Sequence, residues 1–210
     1  MRLIFLAVSV VSILSFIAVM ACQGATGDWC SSISENSLYL GSGAIHLTLL
    51  SLALFFLWKK DFRSMLVSLG FPGEPKKVLL YSVATLIAIF SVLLIVGLLS
   101  IYLGFNDQEK VVDKINTLPL FVLAFAAFGA PLTEELFFRG FLTGRIGVLG
   151  SSVLFGAMHL AYGSTVEVIG AFLIGIVLAL TFKLSKSITP CILAHMGYNA
   201  LAITVMVMFT

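Results

Sequence analysis

Residues 119–143 read PLFVLAFAAFGAPLTEELFFRGFLT. A helix needs about 20 apolar residues to cross a hydrocarbon core, and this stretch is long and apolar enough to do so, yet it holds Glu134, Glu135 and Arg139. A charged side chain at the bilayer centre costs roughly 3 kcal/mol on insertion scales, so inside a span it faces a partner or a wet cavity. Two later apolar stretches carry further polar residues: FGAMH, with Phe155 one turn before His159, and HMGYN, with His195 one turn before Asn199. Polar groups on three apolar segments of the last half of the chain point to one shared, wet site buried in a membrane bundle.

Composition supports that setting. The 210-residue chain is 60% hydrophobic and 10% charged, with a mean hydropathy of +1.13. A soluble domain would be roughly a quarter charged and could not hide this much apolar surface. The expected fold is all-α, a polytopic transmembrane helical bundle forming one domain over 1–210. A net charge of +2 without a basic cluster gives no reason to invoke nucleic acid.

Working outward, hydropathy marks about seven spans: 3–22, 37–58, 78–103, 119–143, 148–163, 166–184 and 188–209. An arrangement with the N-terminus inside puts ten of the twelve Lys and Arg residues on the cytoplasmic side, all but Lys110 and Lys114. Basic residues favour that side, so the C-terminus is expected outside. Residues 59–71 have Phe62, Met65, Leu66 and Leu69 at the spacing of a short helix lying on the inner interface. Residues 106–118 read as a polar, amphipathic external loop with a helical turn. The first segment is longer than a signal peptide's apolar core and is expected to stay as an anchor, although Val19 and Ala21 are small as a cleavage site needs. Cys22 and Cys30 fall at the first external loop, where a disulfide would persist in an oxidising compartment. Cys191 reads as a small packing residue.

On a regular helix Glu134 and Glu135 point about 100° apart and take different tasks. Glu135 and Arg139 are four apart and stack on one face, a structural ion pair. Glu134 is left to face a cavity, where a desolvated carboxylate suits general-base work on water. His159 sits at a similar depth to Glu134, and Phe155, one turn earlier, shields it or walls the cavity. His195 and Asn199 share a face and supply donors for an oxyanion. The alternative is zinc held by His159, His195 and Glu134 with an open position for water. His46, alone in the second span, reads as a histidine hydrogen-bonded to a neighbouring helix.

E-E-x-x-x-R, F-x-x-x-H and H-x-x-x-N, in that order on three spans, resemble the CPBP family, the intramembrane proteases similar to type II CAAX prenyl endopeptidases. The resemblance covers residues 119–205, a four-helix catalytic core, and leaves 1–118 as accessory spans. It implies that Glu134 and His159 activate the attacking water, that His195 and Asn199 form the oxyanion hole, and that Glu135, Arg139 and Phe155 support them. It also implies relatives active in bacteriocin processing or immunity. The leading expectation is an endopeptidase of the plasma membrane of a prokaryote, acting without a bound metal near the inner side, on a membrane-embedded or lipidated peptide. A non-catalytic immunity or scaffold protein and a proton-coupled transporter are the rivals. Clustering of the polar groups at one level argues against the transporter.

Overall fold

The computed structural model describes residues 2–22, 37–58, 61–105 and 107–209. They are helical almost throughout, with no strand among the described residues. The helices are α1 (Arg2–Cys22), α2 (Ser37–Leu57), α3 (Phe62–Ser68), α4 (Pro75–Tyr102), α5 (Glu109–Asn116), α6 (Leu120–Ala124), α7 (Ala130–Glu135), α8 (Thr143–Met158), α9 (Thr165–Ser185) and α10 (Thr189–Phe209). A π turn, Phe125–Gly129, joins α6 to α7; another, Leu136–Leu142, joins α7 to α8; a 3₁₀ turn, His159–Tyr162, follows α8.

Five helical stretches are long and apolar enough to span a membrane: Leu40–Leu57, Pro75–Tyr102, Leu120–Tyr162, Thr165–Ser185 and Thr189–Phe209. Together they make this an integral membrane protein. About seven spans were expected, and the difference has two sources. Of α1, the described run Leu3–Ser15 qualifies only as a shorter apolar helix. The 43-residue third stretch holds two of the expected spans, because Gly147, at φ 77° and ψ 177°, breaks α8 near its start. Only glycine adopts such a backbone without a steric penalty. Beyond it the chain folds back on itself: the Thr143 and Ser151 hydroxyls lie 3.0 Å apart, and Phe138 meets Phe155 edge-on at 5.1 Å.

The core follows from that hairpin. Phe138 and Phe155 pack with Leu49 of α2, Ile89 of α4, Ile174 and Leu178 of α9 and Cys191 of α10. Cys191 is the packing residue its position implied, its thiol donating to Leu178 O at 3.4 Å; the Cys22–Cys30 pairing lies outside the described residues. Helices α8 and α9 approach closely because glycines face the seam. A Cβ on Gly156 would meet Phe172 Cβ at 2.9 Å, and one on Gly175 would meet Ser152 Cβ at 3.0 Å. Small residues at such crossings are how membrane helices gain contact when hydrophobicity cannot drive them together.

Around this centre, α4 is pinned by a Thr85–Thr181 hydroxyl contact of 2.7 Å. Helix α1 lies along α2 with Ser9 and Ser51 hydroxyls 2.6 Å apart. The short α3 begins at Asp61, whose carboxylate accepts from Ser64 N at 2.7 Å. Met65 of α3 and Leu69 just after it are buried against Ile188, just before α10, and Ile192 of α10, while Phe62 is exposed.

Candidate active site

Pro131 shapes the third apolar stretch, Leu120–Tyr162. It has no N–H and crowds the carbonyl four residues earlier, so a regular helix cannot run through it. The chain widens into the first π turn, where Ala130 N–H reaches back five residues to Phe125 O. In that register the next carbonyl, Ala126 O, would accept from residue 131, which is proline. Asn199 of α10 supplies the missing donor, its Nδ2 lying 2.9 Å from Ala126 O. One amide proton of Asn199 remains unused by that bond.

The second π turn carries Arg139, and it keeps the expected pair. Arg139 Nη1 donates to Glu135 Oε1 at 2.9 Å, and Nη2 donates to Gly175 O at 3.2 Å. The guanidinium also lies 4.5 Å from the centre of the Phe155 ring, an attractive cation–π placement. Glu135 has an additional partner: His195 Nδ1 lies 2.9 Å from the same Oε1. A carboxylate only accepts, so Nδ1 carries a proton and Nε2 is the atom left for chemistry. Glu135, Arg139 and His195 are 0%, 1% and 4% exposed, so this chain of charges is sealed. Glu135 Oε2 and Arg139 Nε are buried without hydrogen-bond partners among the described residues, so the pair rests on a single bond.

Glu134, 7% exposed, points elsewhere, as its 100° offset requires. Its Oε2 lies 3.8 Å from His195 Nε2 and its Oε1 lies 3.8 Å from His46 Nε2. His159 ends α8 with Nδ1 2.9 Å from Phe155 O, which leaves its Nε2 free as an acceptor. Its ring stacks on Tyr162 at 6.0 Å and meets Phe155 at 5.1 Å. All three histidines of the chain therefore contact groups of this site.

His159, His195, Asn199 and Phe155 line one cavity of about 80 Å³, room for several waters. Three of the four expected catalytic residues thus share a wall. Glu134 stands off that wall and meets it through His195. The sequence reading passed over Tyr162, Glu167 and Tyr198, which also line the cavity. Their signal was weak: Tyr162 at the end of a span looks like an interfacial residue, Tyr198 in mid-helix looks like packing, and Glu167 in the first turn of α9 looks like a helix-dipole partner.

The cavity extends toward Val111, Ile115 and Met206, the end of the bundle opposite Arg145, Lys183 and Lys186. Depth counted along single helices could not reveal that α5 is a roof. Val111 and Ile115 are buried, Lys110 donates to Gly163 O at 3.2 Å, and Lys114 donates to Ala161 O. Just before α5, Asp107 caps α9, accepting from Ser164 Oγ and Thr165 N at 2.7 Å each. Those bonds, from the Ser164 hydroxyl first, hold its carboxyl below the usual carboxylate range. A lowered carboxyl stabilises the ionised fold, so this tie is complete above that range and is lost as the pH falls through and below it.

The zinc alternative asks for His159, His195 and Glu134 as ligands. Among the described residues no three of His, Cys, Asp and Glu are gathered as a metal's ligands would be. His159 bonds Phe155 O through Nδ1 and stacks on Tyr162. The donor set does not fit, and no step below passes through a metal.

A bundle of apolar helices closed around a small cavity lined by histidines, with a buried acid behind one of them, defines an integral membrane protein with an intramembrane polar site. Residues 116–201 match the family model described as Type II CAAX prenyl endopeptidase Rce1-like, so over this segment the chain is similar to that family. The match begins at the end of α5 and runs into α10, holding every motif residue and leaving α1–α4 outside. No curated protein and no solved structure matches the chain.

Proposed function

We propose that the protein is an intramembrane endopeptidase that hydrolyses a peptide bond of a membrane-associated or lipidated substrate using its own side chains. The carrying observation is that His159, His195 and Asn199 line one cavity with Glu134 Oε2 3.8 Å from His195 Nε2. A gap of that size is about 1 Å beyond a hydrogen bond and suits a water resting against both atoms. Glu134 takes a proton from that water as its oxygen attacks the carbonyl carbon, with His159 Nε2 accepting the water's other proton in a hydrogen bond. The carbonyl oxygen becomes an oxyanion facing the free amide proton of Asn199 and a protonated His195 Nε2, whose positive ring is matched by Glu135. When the C–N bond breaks, the proton held by Glu134 passes to the leaving amine, and carboxylate and water site are restored.

In reconstituted liposomes, the protein is expected to cleave a prenylated CAAX peptide or another membrane-anchored peptide of a test panel. His195→Ala and Asn199→Ala should each lower the rate by on the order of 10²–10³. Wild-type rates in both variants would sink the assignment of the oxyanion donors. The metal-free route makes a separate demand: activity should survive chelation, and one zinc per chain lost together with activity would overturn it.

The same reading takes seven passes with the N-terminus inside, resting on the split of basic residues. It puts the α5 roof on the outer face. Reporter fusions at Lys76 and Lys110 should then report opposite sides, and a shared side would remove the crossing by α4.

A further inference from the structure

His46 belongs to α2, outside the Rce1-like segment, and taken alone it is an ordinary histidine in an apolar helix. Its surroundings are specific. Its Nδ1 lies 2.8 Å from Thr133 Oγ1, and the Thr133 hydroxyl spends its one proton on Ala130 O at 2.9 Å. The hydroxyl can therefore only accept from the histidine, so Nδ1 donates and Nε2 is left with a lone pair. On the other flank the ring stands edge-on to Phe125 at 5.1 Å and 80°. Held from two sides, the ring aims Nε2 at Glu134 Oε1, 3.8 Å away. The other carboxylate oxygen faces His195 at the same distance, so the two oxygens of Glu134 are divided between two imidazoles on different helices.

We infer that His46 is a positioning residue for Glu134, supplied by the accessory spans to the protease core. An imidazole lone pair and a carboxylate oxygen facing each other at 3.8 Å need a donor between them, and one water donating to both atoms fills that role. That bridge fixes the carboxylate plane and occupies Oε1, which leaves Oε2 for the reacting water beside His195. His46 touches no substrate; it acts through Glu134. The inference rests on the reading of Glu134 as the base, and it gives the helices before residue 116 a part in the chemistry that the matched segment does not contain.

Two amide replacements separate this role from a merely structural one. The side-chain amide of asparagine superposes on Nδ1 of histidine and that of glutamine on Nε2. His46→Asn keeps a partner for Thr133 and loses the group facing Glu134; His46→Gln does the reverse. With cleavage of the membrane-anchored test peptide as the assay, His46→Asn should lower kcat at least tenfold with KM unchanged, and His46→Gln should stay within about threefold of wild type. Both should keep the wild-type unfolding midpoint in detergent. A structural role through Thr133 predicts the opposite rank order, and that order would overturn the inference. In a Glu134→Gln background His46→Asn should cost little more, since both act on one step. Independent losses that multiply would also overturn it.

A second measurement needs no cleavage. Dicyclohexylcarbodiimide modifies carboxyl groups in apolar surroundings, and mass spectrometry reads its addition to Glu134. The addition should be several-fold faster in His46→Asn than in the wild type and near wild type in His46→Gln. Equal rates in all three would refute the contact, whereas an active Glu134→Gln enzyme would instead refute the base assignment.

Discussion

Replacing Glu134 by glutamine should lower the rate of peptide hydrolysis by about 10²–10⁴-fold, the range for loss of a positioned general base, while the protein folds as before. The second half follows from geometry. Among the described residues Glu134 makes no direct hydrogen bond: both of its imidazole neighbours stand 3.8 Å away. Exchanging one oxygen for an amide nitrogen keeps the volume and breaks none of the bonds that hold α7 in place. What disappears is the proton acceptor beside His195. Cleavage of the anchored peptide and the unfolding midpoint, measured on one preparation, check both halves. A rate within about threefold of wild type would remove Glu134 from the reaction.

Arg139→Ala should do the reverse and strike the fold. It strips Glu135 of its permanent cation and leaves a carboxylate at 0% exposure with His195 as its remaining partner among the described residues. Breaking a buried pair by removing one partner typically costs about 3–5 kcal/mol, much more than the pair adds over a neutral pair of the same shape. The loss should appear as a lowered unfolding midpoint and poor yield from membranes. Lysine should rescue little, since it lacks the second arm that reaches Gly175 O and the flat face that lies over Phe155. Glu135→Gln combined with Arg139→Ala should be less damaged than Arg139→Ala alone, because the stranded charge is gone. An Arg139→Ala protein with the wild-type midpoint would show that the pair is not what holds these helices together.

The parts of this site that could be read from the sequence are those fixed by spacing along one helix. Glu135 and Arg139, four apart, meet; His195 and Asn199, also four apart, share the cavity wall. Apolar run lengths found the helices to within a few residues, and polar composition found the break before α6. Contacts between helices were not readable in that way. His46 looked incidental because nothing in α2 announces that Thr133 and Glu134 lie across from it. The roof escaped notice because α5 is short and polar, and its two buried residues matter only against α10. The π turns were hidden for another reason: Pro131 forbids a regular helix, but several distortions would relieve it, and the choice depends on Asn199 arriving to pair Ala126 O.

Those turns also change how residue counts translate into distance. Each π turn carries one residue more than the α-helical turn it replaces, so the run from Leu120 to Leu142 is about two residues longer in sequence than its rise through the membrane requires. Separations between its motif residues are then not whole numbers of α-helical turns. When related sequences are placed against this one, a single-residue gap falling at Phe125–Gly129 or Leu136–Leu142 is a physical event. It turns everything on one side of the gap by about 100° relative to the other, which is enough to exchange the places of Glu134 and Glu135.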